Sequence, residues 1–179
     1  MVKQLSAIVL DDFLANITPA ERKLLRNYHD NTGLIDQVRA AAADSQALHR
    51  AATGGTPIRA VHTAAIPDWM RLSLLDAFLQ WITGEARICT HMPDPRRPEP
   101  VYAAAWTPNT ITCLRCIRLL GVHGIKDRTC DCCGRITSGD EDTDPIFAMT
   151  VWFGSLCYYA GACTDCAPDD LIQIEGTRL

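Results

Sequence analysis

Four pairs of soft metal ligands, placed one after another in the second half of the chain, constrain this sequence more than any other feature. They are Cys89 with His91, Cys113 with Cys116, Cys130 with Cys133, and Cys163 with Cys166. Two residues between cysteines let both thiolates point at one ion from a tight knuckle, and two such pairs complete a tetrahedron. Eight ligands therefore predict two structural ions. Zinc and iron–sulfur clusters both use such sets; the histidine in one set and the hairpin-like segments between pairs favour zinc. The competing use of nine cysteines is a disulfide framework, which needs an oxidising compartment. Residues 1–13 carry Asp11 and Asp12 inside an apolar run and show no small-residue cleavage pattern, so they do not read as an export signal. The expectation is a cytoplasmic protein with reduced, metal-bound thiols.

Sequential pairing, first with second and third with fourth, closes each ion over one hairpin. An interleaved cross-brace, first with third and second with fourth, is the alternative. The stronger unit opens with Cys130-Asp131-Cys132-Cys133-Gly134, where the glycine stands at the point that needs a positive φ to turn the chain. An acidic turn over residues 138–145 follows, holding Asp140, Glu141, Asp142 and Asp144. Residues 146–159 are rich in Val, Trp, Phe and Tyr and predict paired strands. The chain then returns to Cys163 and Cys166, with a short helix expected over 168–174. The first unit repeats this order less cleanly, with a Pro-rich loop, a hairpin over 102–112, and Cys113-Leu114-Arg115-Cys116 running into a helix over 117–122. Cys132 and Cys157 remain outside the ligand sets and are expected to be buried as small hydrophobes. A redox use of Cys113 and Cys116 at a helix start is the lesser reading, because a filled metal site would mask it.

The stretch from Cys89 to Cys166 resembles tandem treble-clef or zinc-ribbon proteins. The run Cys113-Leu114-Arg115-Cys116, followed by Thr129-Cys130-Asp131-Cys132-Cys133-Gly134, is similar to small actinobacterial proteins, some of them from phages or mobile elements. That resemblance implies a fold and a metal rather than an activity, since zinc ribbons serve transcription, translation and protein contact alike.

The first half reads as helices. Apolar residues recur at helical spacing up to Asn16. Thr18, Pro19 and Glu21 then place a capping hydroxyl, a ring at the first helical position and a carboxylate three residues past the cap, which predicts a helix over 19–28. Gly33 breaks the chain before a helix over 34–52 that Gly54 and Gly55 stop. Residues 56–66 are expected to be extended or irregular. Pro67 opens and Gly84 closes a last helix whose Trp69, Met70, Leu72, Leu74, Leu75, Phe78, Leu79, Trp81 and Ile82 cover most of its circumference. Such a helix must be buried on several sides, as a central core helix or, alternatively, in a contact with another chain. The expected class is α+β, divided into a helical domain (1–85), a first zinc module (86–129) and a second zinc module (130–179).

Charge is distributed unevenly over that division. Residues 1–85 hold 8 basic and 9 acidic side chains, 86–129 hold 7 and 3, and 130–179 hold 2 and 9, for a net charge of −4. An acidic module meets repulsion from a dense row of phosphates, which argues against the whole protein lying on DNA. The first expectation for function is a regulator or adaptor acting through protein contacts, with Trp152, Tyr158 and Tyr159 as exposed aromatic anchors. The alternative is nucleic-acid contact by the first module, through Arg96, Arg97, Arg115, Arg118, Lys126 and Arg128. Catalysis is not expected. Four protein ligands close a zinc shell, and neither His-Glu-x-x-His nor the deaminase pattern occurs. His29, His49, His62 and His123 read as surface or core residues, and no stretch is long and apolar enough to span a bilayer.

Overall fold

A computed structural model of the chain describes residues 6–30, 33–54, 65–121 and 123–168, the side chains of residues 26–30 excepted. The elements run α1 (Ala7–Asn16), α2 (Pro19–Asp30), α3 (Leu34–Ala52), α4 (Asp68–Thr83), β1 (Arg87–Ile88), β2 (Val101–Ala104), β3 (Thr110–Cys113), β4 (Ile146–Phe153) and β5 (Leu156–Cys163). Short 3₁₀ helices occupy Leu114–Leu120 and Gly124–Arg128. The protein is thus of mixed helix and sheet. The irregular segment expected over 56–66 falls mainly outside the described residues, as does the helix expected over 168–174.

Local chemistry sets the helix ends. At α2 the Thr18 N–H donates to Glu21 Oε2 at 2.8 Å, and the Glu21 N–H donates back to Thr18 Oγ1 at 3.3 Å, the reciprocal pair of a capping box. Gly84 closes α4 in the left-handed conformation at φ 77°, and the next two N–H groups, of Glu85 and Ala86, reach back to the Gln80 carbonyl. α1 is tied to α4 by Arg71, whose guanidinium donates to both carboxylate oxygens of Asp11 at 2.8 and 3.1 Å.

All five strands join one sheet in the order β1-β3-β2-β5-β4. β1 runs parallel to β3, and β2–β3 and β4–β5 are antiparallel hairpins. Between the hairpins β2 pairs parallel with β5, Val101 opposite Leu156 and Ala104 opposite Tyr159. The expected boundary at 129/130 therefore lies inside a continuous sheet. The boundary at 85/86 is crossed as well, because Met70, Leu74 and Trp81 of α4 share a core with Val101, Ala103 and Ile111 on one hairpin and Leu156, Tyr158 and Ala160 on the other. α4 is the buried central helix that its composition requires.

The side-chain alternation of a strand sorts residues to two faces. Val101 and Ala103 join Leu156, Tyr158, Ala160 and Ala162 beneath α4. Tyr102, Ala104 and Cys157 face the other way, against Leu120 and Ile117 of the first 3₁₀ helix, with Trp106, Trp152 and Tyr159 alongside. α3 reaches this second face. Trp152 Nε1–H donates to Ser45 Oγ at 3.1 Å, and the His49 ring meets the Trp152 ring edge-on at 5.0 Å.

Partial burial, with Arg50 nearby, holds the His49 imidazole below its usual pKa. The unfolded chain therefore binds a proton at His49 more readily than the folded one. That contribution to stability is complete above the unfolded value of about 6.5 and declines as pH falls through it toward the folded value. A His49→Gln variant is expected to show a smaller loss of stability between pH 8 and pH 5 than the parent, measured by urea denaturation at each pH.

Candidate metal centres

The two ligand sets are assembled by the ends of the strands. Parallel pairing of β1 with β3 sets Ile88 opposite Ile111, so Cys89, one residue past β1, comes beside Cys113, the last residue of β3. The Cys89 N–H donates to the Ile111 carbonyl at 3.2 Å, and the Cys113 N–H donates to Cys89 Sγ at 3.4 Å. His91 lies in the turn that follows, with Nδ1 3.2 Å from Cys116 Sγ on the 3₁₀ helix. The four ligand atoms all lie within 4.8 Å of one another; Cys89 and Cys113 are buried, and His91 is exposed.

The second set joins a knuckle to the end of β5. Gly134 takes φ 74°, its N–H returns to the Cys130 carbonyl at 2.9 Å, and the Cys130 N–H donates to the Arg135 carbonyl at 2.8 Å. Cys163 ends β5, and the next turn brings back Cys166, whose N–H donates to the Cys163 carbonyl at 3.0 Å. The knuckle is fastened to β5 through Asp131. Its N–H donates to the Gly161 carbonyl at 2.8 Å, and Gly161 N–H donates to its Oδ2 at 2.7 Å. Gly161 is required there, since a Cβ would stand 2.8 Å from Ile146 Cγ2. Cys130, Cys133, Cys163 and Cys166 again lie within 4.8 Å of one another. The two groups pair in sequence, first with second and third with fourth, and not as a cross-brace.

The electrostatics of both sets fit a divalent cation. Burial pushes the Cys130 thiol up, but backbone N–H groups of Cys163, Cys133 and Cys132 outweigh it and bring the pKa down to about 7. Burial likewise opposes ionisation of Cys89, and N–H groups of Cys113 and His91 override it to leave the pKa lowered. Cys116 and Cys163 are raised by burial and then by the sulfur they share a set with. Within each group one sulfur is thus made easier to ionise and another harder, and a cation relieves that opposition by favouring the thiolate form of every ligand. Zn–S bonds near 2.3 Å place tetrahedral sulfurs about 3.8 Å apart, and Cys133 Sγ lies 3.9 Å from Cys163 Sγ. Each group is able to hold one ion, as two structural zinc ions require.

All nine cysteines are free thiols. Of the two outside the ligand sets, Cys157 is fully buried, with burial pushing its pKa up to about 12. Cys132 is exposed instead of buried: of the two residues between Cys130 and Cys133, Asp131 is turned to Gly161 and Cys132 is left outside.

The aromatic residues expected as surface anchors are placed differently. Tyr158 is 3% exposed, in the core beneath α4. Tyr159 stacks on Tyr102 with the rings 8° from parallel, and Trp152 is held by Ser45. Burial of Tyr158 corrects the exposure expected of it, whereas Trp152 and Tyr159 are half-buried on the opposite face. The basic residues are at the surface: Arg96, Arg97, Arg115, Arg118, Lys126 and Arg128 are all exposed. Arg128 Nη1 donates to the Ser138 carbonyl at 3.1 Å and its chain lies where a Cβ on Gly139 would be, so it braces a loop. The acidic turn is organised internally. Asp140 Oδ1 accepts from the N–H groups of Asp142 and Thr143, and Asp144 pairs with Arg135.

Sequence reasoning missed three exposed apolar residues. Ile88, Met92 and Leu114 each adjoin a ligand of the first centre and are 41%, 70% and 43% exposed. Their adjacency to Cys89, His91 and Cys113 was the available signal. Among the described residues no helix is long and apolar enough to cross a membrane. No family model, curated protein or solved structure matches the chain.

Proposed function

We propose that this chain is a zinc-stabilised regulator or adaptor that works by protein contact, with its metal centres serving as scaffold and not as reactive sites. The observation that carries this reading is the exposure of Ile88, Met92 and Leu114 around the first centre, beside Arg115 and Arg118 on the same 3₁₀ helix as Leu114. Exposed apolar side chains next to the metal ligands gain free energy when a partner covers them, and Met and Arg are enriched at interfaces. A closed shell of four protein ligands leaves no position for a reacting water. The order of knuckle, hairpin and returning cysteine pair supports a treble-clef assignment for the second unit. Nine free thiols suit a reducing compartment such as the cytoplasm.

A specific observation favours nucleic-acid contact as the second reading. Arg96, Arg97, Arg115, Arg118 and Lys126 are exposed, and none of them forms an ion pair among the described residues. The interleaved apolar residues place protein contact first, because phosphate contacts gain little from Met92 or Leu114.

Cross-linking in cells followed by affinity purification separates the readings. The wild type is expected to retain a protein partner after nuclease treatment, and the double variant Met92→Asp, Leu114→Asp to lose it roughly 10- to 100-fold while still holding two zinc ions. Recovery of nucleic acid alone, released as salt rises, is the outcome that replaces the first reading with the second. Unchanged capture by the double variant removes this surface from the argument.

A further inference from the structure

The two edges of the sheet are unlike. β1 forms one with two residues; β4 forms the other with eight, reading Ile-Phe-Ala-Met-Thr-Val-Trp-Phe. Edge strands are ordinarily blunted by shortness, proline, a bulge or a charged side chain, because their free N–H and C=O groups are a template for another strand. β4 has none of these, and it pairs with β5 without a break from Ile146 opposite Cys163 to Phe153 opposite Leu156. Which of its backbone groups are free follows from β5. Tyr159, opposite Thr150, and Gly161, opposite Ala148, turn their carbonyls away from β4 to accept from the Ala105 and Asp131 N–H groups at 2.9 and 2.8 Å. Thr150 and Ala148 therefore stand at non-hydrogen-bonded positions, and the alternation adds Ile146 and Trp152. The N–H and C=O groups of these residues point out from the sheet, and no backbone group among the described residues meets them. Solvent reaches this edge. Ala148 is exposed and every other β4 residue except Met149 is half-buried, whereas β5 is buried throughout but for Tyr159.

We propose that the outer edge of β4 is a self-association surface, on which a second copy of the chain lays its own β4 antiparallel about a two-fold axis at Met149. Such an axis sets the same patch against itself, so Ile146 meets the second copy's Trp152, Phe147 its Val151, and Ala148 its Thr150. In that register outward residues face only outward residues, and every free N–H and C=O finds a partner. Sliding by one residue would set outward groups against groups already bonded to β5. The side chains agree with the register. Phe147 on Val151 and Trp152 on Ile146 are aromatic with β-branched pairs of the kind that stabilise sheets, and the strand carries no charge to repel its copy. This fit of the strand to itself favours a second copy over a strand of another protein. The pairing makes a continuous sheet of ten strands, five from each copy. It leaves both first centres uncovered at the far edges beside β1, so the inference is independent of what those centres contact.

Sedimentation equilibrium of the full-length, zinc-loaded protein reads the association, and amide hydrogen exchange followed by NMR reads its place. The wild type is expected to have the mass of two chains and to dissociate on dilution. The amides of Ala148, Thr150 and Trp152 are expected to be protected in the dimer and to lose that protection on dilution. Those of Phe147, Met149 and Val151, bonded to β5, stay protected at every concentration. Ala148→Lys puts a charge at an exposed position of the strand, diagonally across the axis from its own copy. It is expected to raise the dimer Kd at least about tenfold while both ions stay bound. Thr150→Pro removes an outward N–H and no bond to β5, a change that an edge strand tolerates, and is expected to act in the same direction; should it fail to fold, Ala148→Lys decides. A wild type of single-chain mass up to its solubility limit, a dimer whose concentration-dependent protection falls elsewhere, or a dimer as tight in Ala148→Lys as in the wild type each overturns the proposal. So does protection of the outward amides that appears only when another protein is added, which assigns the edge to that partner.

Discussion

Chelation of zinc is expected to unfold the sheet and release α4 from it in one cooperative step. Each centre holds together segments with few other ties. The first joins the end of β1, the end of β3 and a 3₁₀ helix; the second joins the 130–133 knuckle to the end of β5. Cys130 and Cys163 are themselves in the core, with Val101, Ile111 and Leu156, so an empty second set leaves these two buried sulfurs without a cation to balance their ionised form. Structural zinc contributes on the order of 10 kcal/mol or more in isolated finger peptides, against a net stability of about 5–15 kcal/mol for a domain. Loss of the ions is therefore expected to exceed what the remaining core supplies. Thermal melts followed by far-UV circular dichroism and by near-UV tryptophan signals test it, with and without a strong chelator. A chelated sample that melts at the original temperature sinks the scaffold interpretation.

The shared sheet extends that expectation to single ligands. Cys163→Ser should weaken the first centre as well as the second, because β5 is the strand on which β2 is laid. Two independent modules would instead leave the first ion undisturbed.

Truncation of Leu74 is expected to be the most damaging change away from the metals. It is 1% exposed on α4, in the cluster that holds both hairpins. Leu74→Ala removes that packing and leaves a cavity where helix and sheet meet, at a cost of about 3 kcal/mol. For a chain of this size that lowers the melting temperature by roughly 6–12 °C. Ile82, on the same helix but 46% exposed, is the control, and Ile82→Ala is expected to cost under about 1 kcal/mol. Equal losses at the two positions are the result that refutes a central role for α4.

Much of this structure is written in short-range signals. Thr18 and Glu21 predict the start of α2 because the capping box needs only residues three apart. Gly33 and Gly54 bracket a helix that runs Leu34–Ala52, and Pro67 and Gly84 bracket α4. The eight ligands were equally legible, because a knuckle's geometry is set by the two residues between its cysteines. The segment after Cys116, which the sequence marks as helical, is a 3₁₀ helix that packs Ile117 and Leu120 against the sheet. Which aromatic faces inward was not legible. Trp152 finds its partner in Ser45, far away along the chain, and no local pattern encodes that pair.

The sequence by itself determined the ligand types, the pairing bite and the ends of the principal helices, since each depends on bonds or caps that reach no further than a few residues. Only the tertiary structure decided that two repeated units become one sheet, that α4 closes over both, and that Ile88, Met92 and Leu114 are left outside. The physical reason is that strand pairing satisfies backbone N–H and C=O groups that every residue carries. The choice of β5 as the neighbour of β2 is therefore made by the packing of all the side chains together, and not by any one of them.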